Sequence, residues 1–365
     1  MEKLLSRKQV IILFFICVMA SKIQRFPGLI ASVAGRDGWL CILVLFAIDI
    51  LLCLVALRIN KLSQQTTLYE TLSRGSNKVI AKIIIIFFII FFLFKGTSNY
   101  KAIHEFFASV LFDRLSWEFY SLAFISLIIF MVRKGIQTIG RTAEIFYRFI
   151  LLGFIVALVF GIITTDFSQV LPILNTGESF LFKIVKNYAF WFSDFTLILM
   201  FSGLMRHEKK GLTKPLMLTY VTLCVVFCLL YIVFYGLYQN LSAFQTHGLS
   251  AITQFSLLSL DIGRIDWFFL MLAQTSTVIA TICYLFFAVN CTQQLFNRKN
   301  NSIVITCVII ALVWILDLFL FNNIEIFMRT IYSVLSYYVI GLETIVLGVI
   351  WIIAKKSSKK PLLNK

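Results

Sequence analysis

Long apolar runs alternate with short polar loops along this chain, and these runs determine its predicted architecture. Most runs are about 20 residues long, which is the length that an α-helix needs to cross a bilayer. Strands of a membrane β-barrel would be about 10 residues long and would alternate in polarity. We therefore predict an all-α polytopic membrane protein with ten transmembrane helices. The predicted spans cover roughly residues 9–33, 38–58, 79–100, 117–133, 141–165, 183–205, 216–238, 264–293, 302–321 and 331–354.

Composition supports a membrane protein and argues against a nucleic-acid-binding one. Of the 365 residues, 60% are hydrophobic and only 14% are charged, whereas about 25% of a globular domain is charged. The net charge is +16, but 22 of the 33 lysines and arginines lie in alternate loops and the termini, on one predicted side. This bias predicts that both termini are cytoplasmic. We expect contact with a lipid bilayer, no nucleic acid, and a basic cytoplasmic tail over 355–365 that lies along anionic headgroups.

The first predicted span is interrupted by the sequence SKIQRFPG at 21–28. Lys22 and Arg25 bring two charges into an apolar run, and Pro27 and Gly28 disfavour a continuous helix. Irregular backbone at membrane depth is tolerated where it is buried in protein or lines a cavity, and broken helices form the substrate sites of many transporters. The interruption is therefore either part of a binding site or a proline kink whose cations reach the lipid headgroups.

A second interruption, WFSDFT at 191–196, lies in the sixth span. Ten helices divide into five and five, so the sixth span is the counterpart of the first if the protein contains two inverted repeats. We predict a single transmembrane domain over 1–365, with one repeat at about 9–165 and the other at about 183–354.

Asp194 is the main candidate for a ligand-binding side chain in the second interruption. A carboxylate inside a span is costly and normally faces a cavity or a counter-ion. It could pair with Lys22 or Arg25, meet the ammonium group of an amino-acid ligand, or form an ion pair that only fixes the two helices together. Polar residues of the third and eighth spans, among them Thr97, Asn99 and Thr275, either face the same cavity or form interhelical hydrogen bonds.

Motifs for covalent chemistry are absent from the sequence. It contains no nucleophile elbow, P-loop, dinucleotide fingerprint or zinc motif. We therefore predict that the protein is not an enzyme and has no catalytic residues, no metal site and no cofactor. Three further acids within spans, which could relay protons or pair with cations, are Asp49, Asp317 and Glu343.

Several stretches resemble the spore germination permease family, the integral-membrane B subunits of bacterial spore nutrient germinant receptors. This family belongs to the amino acid–polyamine–organocation superfamily. The matching stretches are SRKQ at 6–9, FPG at 26–28, AGRDGWL at 34–40, GIQTIGRTAEIF at 135–146, Asp166 with LPIL at 171–174 and Gly177, RIDW at 264–267 and QQLF at 293–296.

The resemblance implies a LeuT-like fold of two inverted five-helix repeats, with a ligand pocket at the breaks of the first and sixth helices. It also implies small nutrient ligands, often amino acids, and a location in the spore inner membrane. The implied partners are a membrane-embedded A subunit and a lipoprotein C subunit. Lys22 and Arg25 depart from the family pattern, because they make the first helix unusually cationic.

We therefore predict a nutrient-sensing membrane subunit of a spore germinant receptor. The alternative is a proton- or sodium-coupled amino acid permease, and a third possibility is a channel subunit of the receptor. The predicted ligand-binding residues are Lys22, Arg25, Phe26, Pro27, Gly28, Thr97, Asn99, Trp191, Ser193, Asp194 and Thr275.

Overall fold

The structure is a computed structural model that describes residues 4–23, 25–63, 66–107, 117–171, 179–205, 211–245, 247–259, 266–296, 302–320 and 324–359. Within these ranges the chain is helical, and the extended pairing is confined to a single bridge between Leu5 and Met205. The helices are α1 Arg7–Lys22, α2 Arg25–Ala34, α3 Gly38–Leu62, α4 Leu68–Gly75, α5 Lys78–Phe106, α6 Trp117–Lys134, α7 Ile136–Thr164, α8 Ser179–Tyr188, α9 Phe195–Phe201, α10 Thr213–Tyr238, α11 Gly248–Ser259, α12 Asp266–Leu295, α13 Ile303–Leu320 and α14 Ile324–Ser357.

Each of the ten predicted spans overlaps helix in the part of it that the structure describes. The first span is divided into α1 and α2, and the sixth into α8, a 3₁₀ turn at Ala189–Phe192 and α9, which confirms the two predicted breaks. Five helical stretches within the described residues are long and apolar enough to cross a membrane: Arg25–Leu62, Lys78–Phe106, Ile136–Thr164, Thr213–Phe244 and Leu270–Leu295. The count of ten spans and the inverted repeat remain predictions.

The break in the first span lies earlier than its proline. Helix α1 ends at Lys22, and α2 begins at Arg25 and contains Pro27 as its third residue. Proline is tolerated in a first helical turn, because its missing N–H would have had no partner within the helix. With 16 residues, α1 extends about 24 Å, so neither half-helix alone spans the roughly 30 Å of hydrocarbon.

Helix α5 is longer than predicted. The polar stretch that begins at Lys95 was expected to end the third span, but the helix continues to Phe106, and residues 95–101 are buried within it. Gly96 allows this helix to pack tightly against α12, since a Cβ there would lie 2.5 Å from Leu285. Helix α12 is central to the bundle, because 83% of its most apolar 18-residue stretch is buried. Polar residues in α5 therefore contribute to helix packing and do not mark a helix end.

Described segments beside several cation-rich loops meet at one end of the bundle. The Leu5 amide donates to the Leu204 carbonyl at 2.9 Å, and Arg74 Nε donates to Ser357 Oγ at 2.7 Å. At the opposite end, Arg36 donates to the Leu171 carbonyl at 2.7 Å. The predicted grouping of loops is confirmed in this respect, while their orientation in the membrane stays a prediction. Some predicted features lie outside the described residues: Gln24, 172–174, Gly177, 206–210 and 264–265.

Candidate functional site

The two helix breaks meet at an ion pair. Lys22, the last residue of α1, places its Nζ 2.6 Å from Oδ2 of Asp194, which directly precedes α9. The two side chains are only 0% and 1% exposed. Of the partners considered for Asp194, the structure selects Lys22, and Arg25 lies elsewhere.

The end of α1 suits a buried ammonium group. The last carbonyls of a helix have no partner within it and carry partial negative charge. Lys22 Nζ donates to the Val18 carbonyl at 3.5 Å and to Ser21 Oγ at 3.3 Å. The ammonium group thus bonds three oxygens, and the position next to the break accounts for a lysine inside the bundle.

Aromatic rings enclose this ion pair. Lys22 Nζ lies 4.7 Å from the ring centre of Phe192 and 5.9 Å from that of Phe46, so both rings offer cation–π attraction. Phe26 packs between the two breaks, with ring-centre distances of 5.2 Å to Phe192 and 6.0 Å to Trp191. The rings keep water away, which strengthens the attraction between the charges.

A second carboxyl group, that of Asp49 on α3, lies beside the first. Its Oδ2 accepts a hydrogen bond from the Asp194 backbone amide at 3.2 Å. The hydroxyl of Tyr220 on α10 contacts Asp49 Oδ2 and also lies 2.9 Å from Asp194 Oδ2. Four helices, α1, α3, α9 and α10, therefore contribute to one buried polar cluster at the breaks.

Two further charged residues lie next to the broken sixth span. Lys95 on α5 donates to the Phe190 carbonyl at 2.7 Å, which satisfies a carbonyl of the 3₁₀ turn. Ser193 Oγ donates to the same carbonyl at 3.2 Å, and the Glu343 carboxyl group on α14 lies next to this serine. The irregular backbone is thus stabilised by a side chain from α5 and by its own Ser193.

Arg25 and Gly28 contact the end of α5 and the loop at 239–245, away from the ion pair, and Pro27 is buried in α2. Arg25 forms an ion pair with Glu105 near the end of α5. A Cβ on Gly28 would lie 2.2 Å from the carbonyl oxygen of Gln245, so only glycine allows this loop to pack on α2. Burial, with a smaller contribution from Arg25, lowers the pKa of the nearby His247 to about 4.

The predicted residues of the third and eighth spans, Thr97, Asn99 and Thr275, differ from one another in their hydrogen bonds. The Thr97 hydroxyl donates to the Leu93 carbonyl at 2.8 Å, and the Thr275 hydroxyl donates to the Met271 carbonyl at 2.9 Å, each within its own helix. Asn99 is buried, and within the part of the chain that the structure describes its Nδ2 has no hydrogen-bond partner. Asn99 thus retains a free donor in the interior.

The structure brings together a subset of the predicted residues at the two breaks: Lys22, Phe26, Trp191, Ser193 and Asp194. Sequence reasoning named Asp49 without assigning it a partner, and it did not single out Tyr220 or Glu105. A tyrosine in an apolar span is the one sequence signal for a partner such as Tyr220, because a buried hydroxyl normally requires a hydrogen bond.

Comparisons with known proteins identify the family and the fold of this chain. The protein family described as "Spore germination protein" matches residues 4–326. Spore germination protein KB of Bacillus subtilis (strain 168) is 23% identical over 318 residues, which cover 83% of this chain and 82% of that protein.

A solved structure shares the fold. The manganese transporter of Eremococcus coleocola, crystallised with an aromatic bis-isothiourea compound, superposes with a TM-score of 0.55 at 12% identity, over 94% of this chain and 76% of that one. At this identity the likeness concerns the fold alone. It supports an integral membrane protein with a transporter-like arrangement of helices. Because the family match spans nearly the whole chain, this protein belongs to the spore permease family of spore germination proteins.

Proposed function

We propose that this protein is the nutrient-sensing membrane subunit of a spore germinant receptor. In this proposal a small nutrient, an amino acid, binds between the two helix breaks and triggers germination. The observation that carries the proposal is the buried pair of Lys22 and Asp194, which joins the breaks at 2.6 Å. Family membership supports the role in germination.

The ion pair has the chemistry to exchange partners with a zwitterion. Separating two buried charges is costly, because each is left without a counter-ion. An amino acid supplies both replacements, since its carboxylate can bind Lys22 and its ammonium group can bind Asp194. Asp194 Oδ1 is buried and has no hydrogen-bond partner among the described residues, so it is available to accept a hydrogen bond from an amine. A neutral ligand such as a sugar offers no such exchange.

Further residues at the breaks have roles in this proposal. Phe26 and Trp191 form the apolar wall that contacts the ligand side chain, and Ser193 holds the amine or a bridging water. Arg25 and Gly28 contact Glu105 and Gln245 instead, so Lys22 alone binds the ligand carboxylate in this proposal. The polar residues proposed to line the cavity from α5 and α12 are Thr97, Asn99 and Thr275.

Ligand binding would change the separation of the two broken helices. The end of α1 and the start of α9 are in direct contact through the ion pair, and a ligand between them must move them apart. A ligand shifts a conformational equilibrium only by its difference in affinity for the two states. The separated state therefore constitutes the signal that is passed to partner subunits, for which we propose the A and C receptor subunits of the spore inner membrane. The proposal requires no cofactor, metal or enzymatic step.

A thermal-shift screen tests this function. We would purify the protein in detergent, screen common amino acids and sugars, and repeat any hit with Lys22→Gln and Asp194→Asn. Lys8→Gln is the matched control, because Lys8 pairs with Glu144 at a surface position with 66% of its side chain exposed. We expect an amino acid to stabilise the wild type and the control but neither variant at the breaks. Stabilisation that persists in both variants would reject the site.

A coupled amino acid permease is the second candidate, which the likeness to a manganese transporter supports. Uptake of a labelled amino acid into proteoliposomes separates the two functions. Accumulation that depends on a proton or sodium gradient would identify a permease, whereas binding without uptake would support the receptor.

A further inference from the structure

The Tyr220 hydroxyl group contacts two carboxyl oxygens but has only one hydrogen atom to donate. A phenol carries a single hydrogen atom, yet the Tyr220 oxygen contacts both Asp49 Oδ2 and Asp194 Oδ2. It can donate to only one of them. If both carboxyl groups were ionised, the second contact would place two oxygen atoms together without a hydrogen atom between them. One carboxyl group must therefore carry a proton and donate to Tyr220.

The partners of the two carboxyl groups indicate which one is protonated. Asp194 Oδ2 lies 2.6 Å from the Lys22 ammonium group, which favours the ionised form. Asp49 has no ion-pair partner among the described residues, and its Oδ1 is buried without a hydrogen bond. An unpaired buried charge costs far more than an unpaired neutral carbonyl. The proton therefore belongs to Asp49.

The other ionisable groups near Asp49 agree with this assignment. Those of the described residues that interact with it are Lys22, Cys53, Lys95, Asp194, Tyr220, Tyr284 and Glu343. Three carboxyl groups and two ammonium groups thus share an interior that is closed to water. One added proton brings the formal charge of this set to zero.

We propose that Asp49 holds a stored proton and that Tyr220 relays it to Asp194 whenever Lys22 leaves Asp194 before another cation, such as the ammonium group of a ligand, takes its place. The Asp49 O–H bond breaks as its proton passes to the Tyr220 oxygen, while the Tyr220 hydroxyl proton passes to Asp194 Oδ2. Asp49 is then ionised and accepts bonds from Tyr220 and from the Asp194 amide, which already lies 3.2 Å away. No net charge enters the bundle, and Asp194 is not left as an unpaired anion.

The stored proton is independent of any ligand, whereas the trigger that releases it rests on the proposed function. Failure of ligand binding would therefore leave the resting proton on Asp49 unaffected. Conversely, an ionised Asp49 would overturn the relay and leave ligand binding at Lys22 untouched. The two claims are tested by different measurements.

Infrared spectroscopy of the ligand-free protein tests where the proton lies. We expect the wild type to show the carbonyl band of a protonated carboxyl group, which shifts in D₂O. Asp49→Asn should remove this band, and Glu343→Gln, a matched control on α14, should leave it in place. A band that Asp49→Asn does not change would overturn the assignment.

Thermal unfolding supplies a second test of the same assignment. Asparagine closely resembles a protonated aspartic acid, so Asp49→Asn should keep the midpoint within about 2 °C of wild type. Asp194→Asn leaves Lys22 without its counter-ion and should lower the midpoint by roughly 5 °C or more. Equal losses in the two variants would mean that Asp49 is charged.

The relay itself is tested with Lys22→Gln, which removes the ammonium group without any ligand. With Tyr220 present, the protonated-carboxyl band should move to a new frequency as the proton passes to Asp194. In the Tyr220→Phe variant, the further substitution Lys22→Gln should leave the frequency of this band unchanged. An equal response in both backgrounds would show that Tyr220 relays no proton.

Discussion

Lys22 and Asp194 illustrate how a buried ion pair can serve function more than stability. Removing ions from water costs several kcal/mol for each group, and the attraction between them only roughly repays this. The pair is 0% and 1% exposed, so the cost of removing both ions from water applies in full. The role that we propose for the pair is partner exchange with a zwitterionic ligand.

A double substitution separates these two roles. Asp194→Asn alone should cost roughly 3–5 kcal/mol of unfolding free energy, because Lys22 is left unpaired in the interior. Lys22→Met with Asp194→Leu removes both charges, and we expect it to restore stability to within about 1–2 kcal/mol of wild type. The double variant should nevertheless bind no amino acid. Denaturant unfolding and a binding assay measure the two properties, and a double variant as unstable as the single one would contradict this view of the pair.

His247, which lies near Arg25, should make the free energy of unfolding depend on pH. Its pKa is about 4, below the 6.5 of an unperturbed histidine, because burial disfavours the charged form and Arg25 repels it. Between these values the unfolded chain binds more protons than the folded one, so stability should decline as pH falls from about 6.5 to about 4.

The measurement is the unfolding midpoint across that pH range for the wild type and for His247→Gln. The variant should show a shallower decline, since other groups supply whatever slope remains. Parallel curves for the two proteins would show that His247 does not contribute.

At the scale of helices, Gly28 fixes the position of the loop at 239–245 on α2. A Cβ there would lie 2.2 Å from the backbone carbonyl oxygen of Gln245, which cannot move aside as a side chain can. We expect Gly28→Ala to destabilise the protein by about 1–3 kcal/mol.

Gly341→Ala is the matched control for this substitution. No atom of the described residues lies within 4 Å of a Cβ at Gly341, which is inside α14, so alanine should stabilise the helix by about 0.5–1 kcal/mol. The two variants should thus shift the thermal midpoint in opposite directions. Equal shifts would mean that the contact of Gly28 with the loop is unimportant.

The two broken helices could be predicted from sequence, but the details of the breaks could not. Charged residues inside apolar runs identified Lys22 and Asp194, because such residues are costly in a membrane. The break itself lies before Arg25, since Pro27 fits within the first turn of α2. The polar residues from Lys95 onward gave no sign that α5 continues, because polar side chains buried between helices and those at a helix end look alike in sequence.

At the scale of the whole molecule, the alternation of basic loops predicted which loops share an end of the bundle. Contacts of Leu5 with Leu204 and of Arg74 with Ser357 confirm this grouping. The partners of Asp49 could not be predicted, because Tyr220 is 171 residues away in the chain. Nothing in a single sequence specifies such a long-range contact.

Labelling with a membrane-impermeant thiol reagent tests the orientation in the membrane. Lys78→Cys places an exposed thiol at the start of α5, at the end predicted to be cytoplasmic, and Phe167→Cys places one at the opposite end, where Phe167 is 46% exposed. In right-side-out vesicles, Phe167→Cys should react and Lys78→Cys should stay protected until the vesicles are opened. The wild type, with its native cysteines, supplies the background. The reverse pattern would place the termini outside.

The most direct measurement for the proposed site is a cryo-electron microscopy structure with the stabilising amino acid, using a bound antibody fragment to enlarge the particle. We expect ligand density between the two breaks, with its carboxylate at Lys22 and its amine at Asp194. The distance from Lys22 Nζ to Asp194 Oδ2 should then exceed its present 2.6 Å. Ligand density elsewhere, with the Lys22–Asp194 contact intact, would contradict the account.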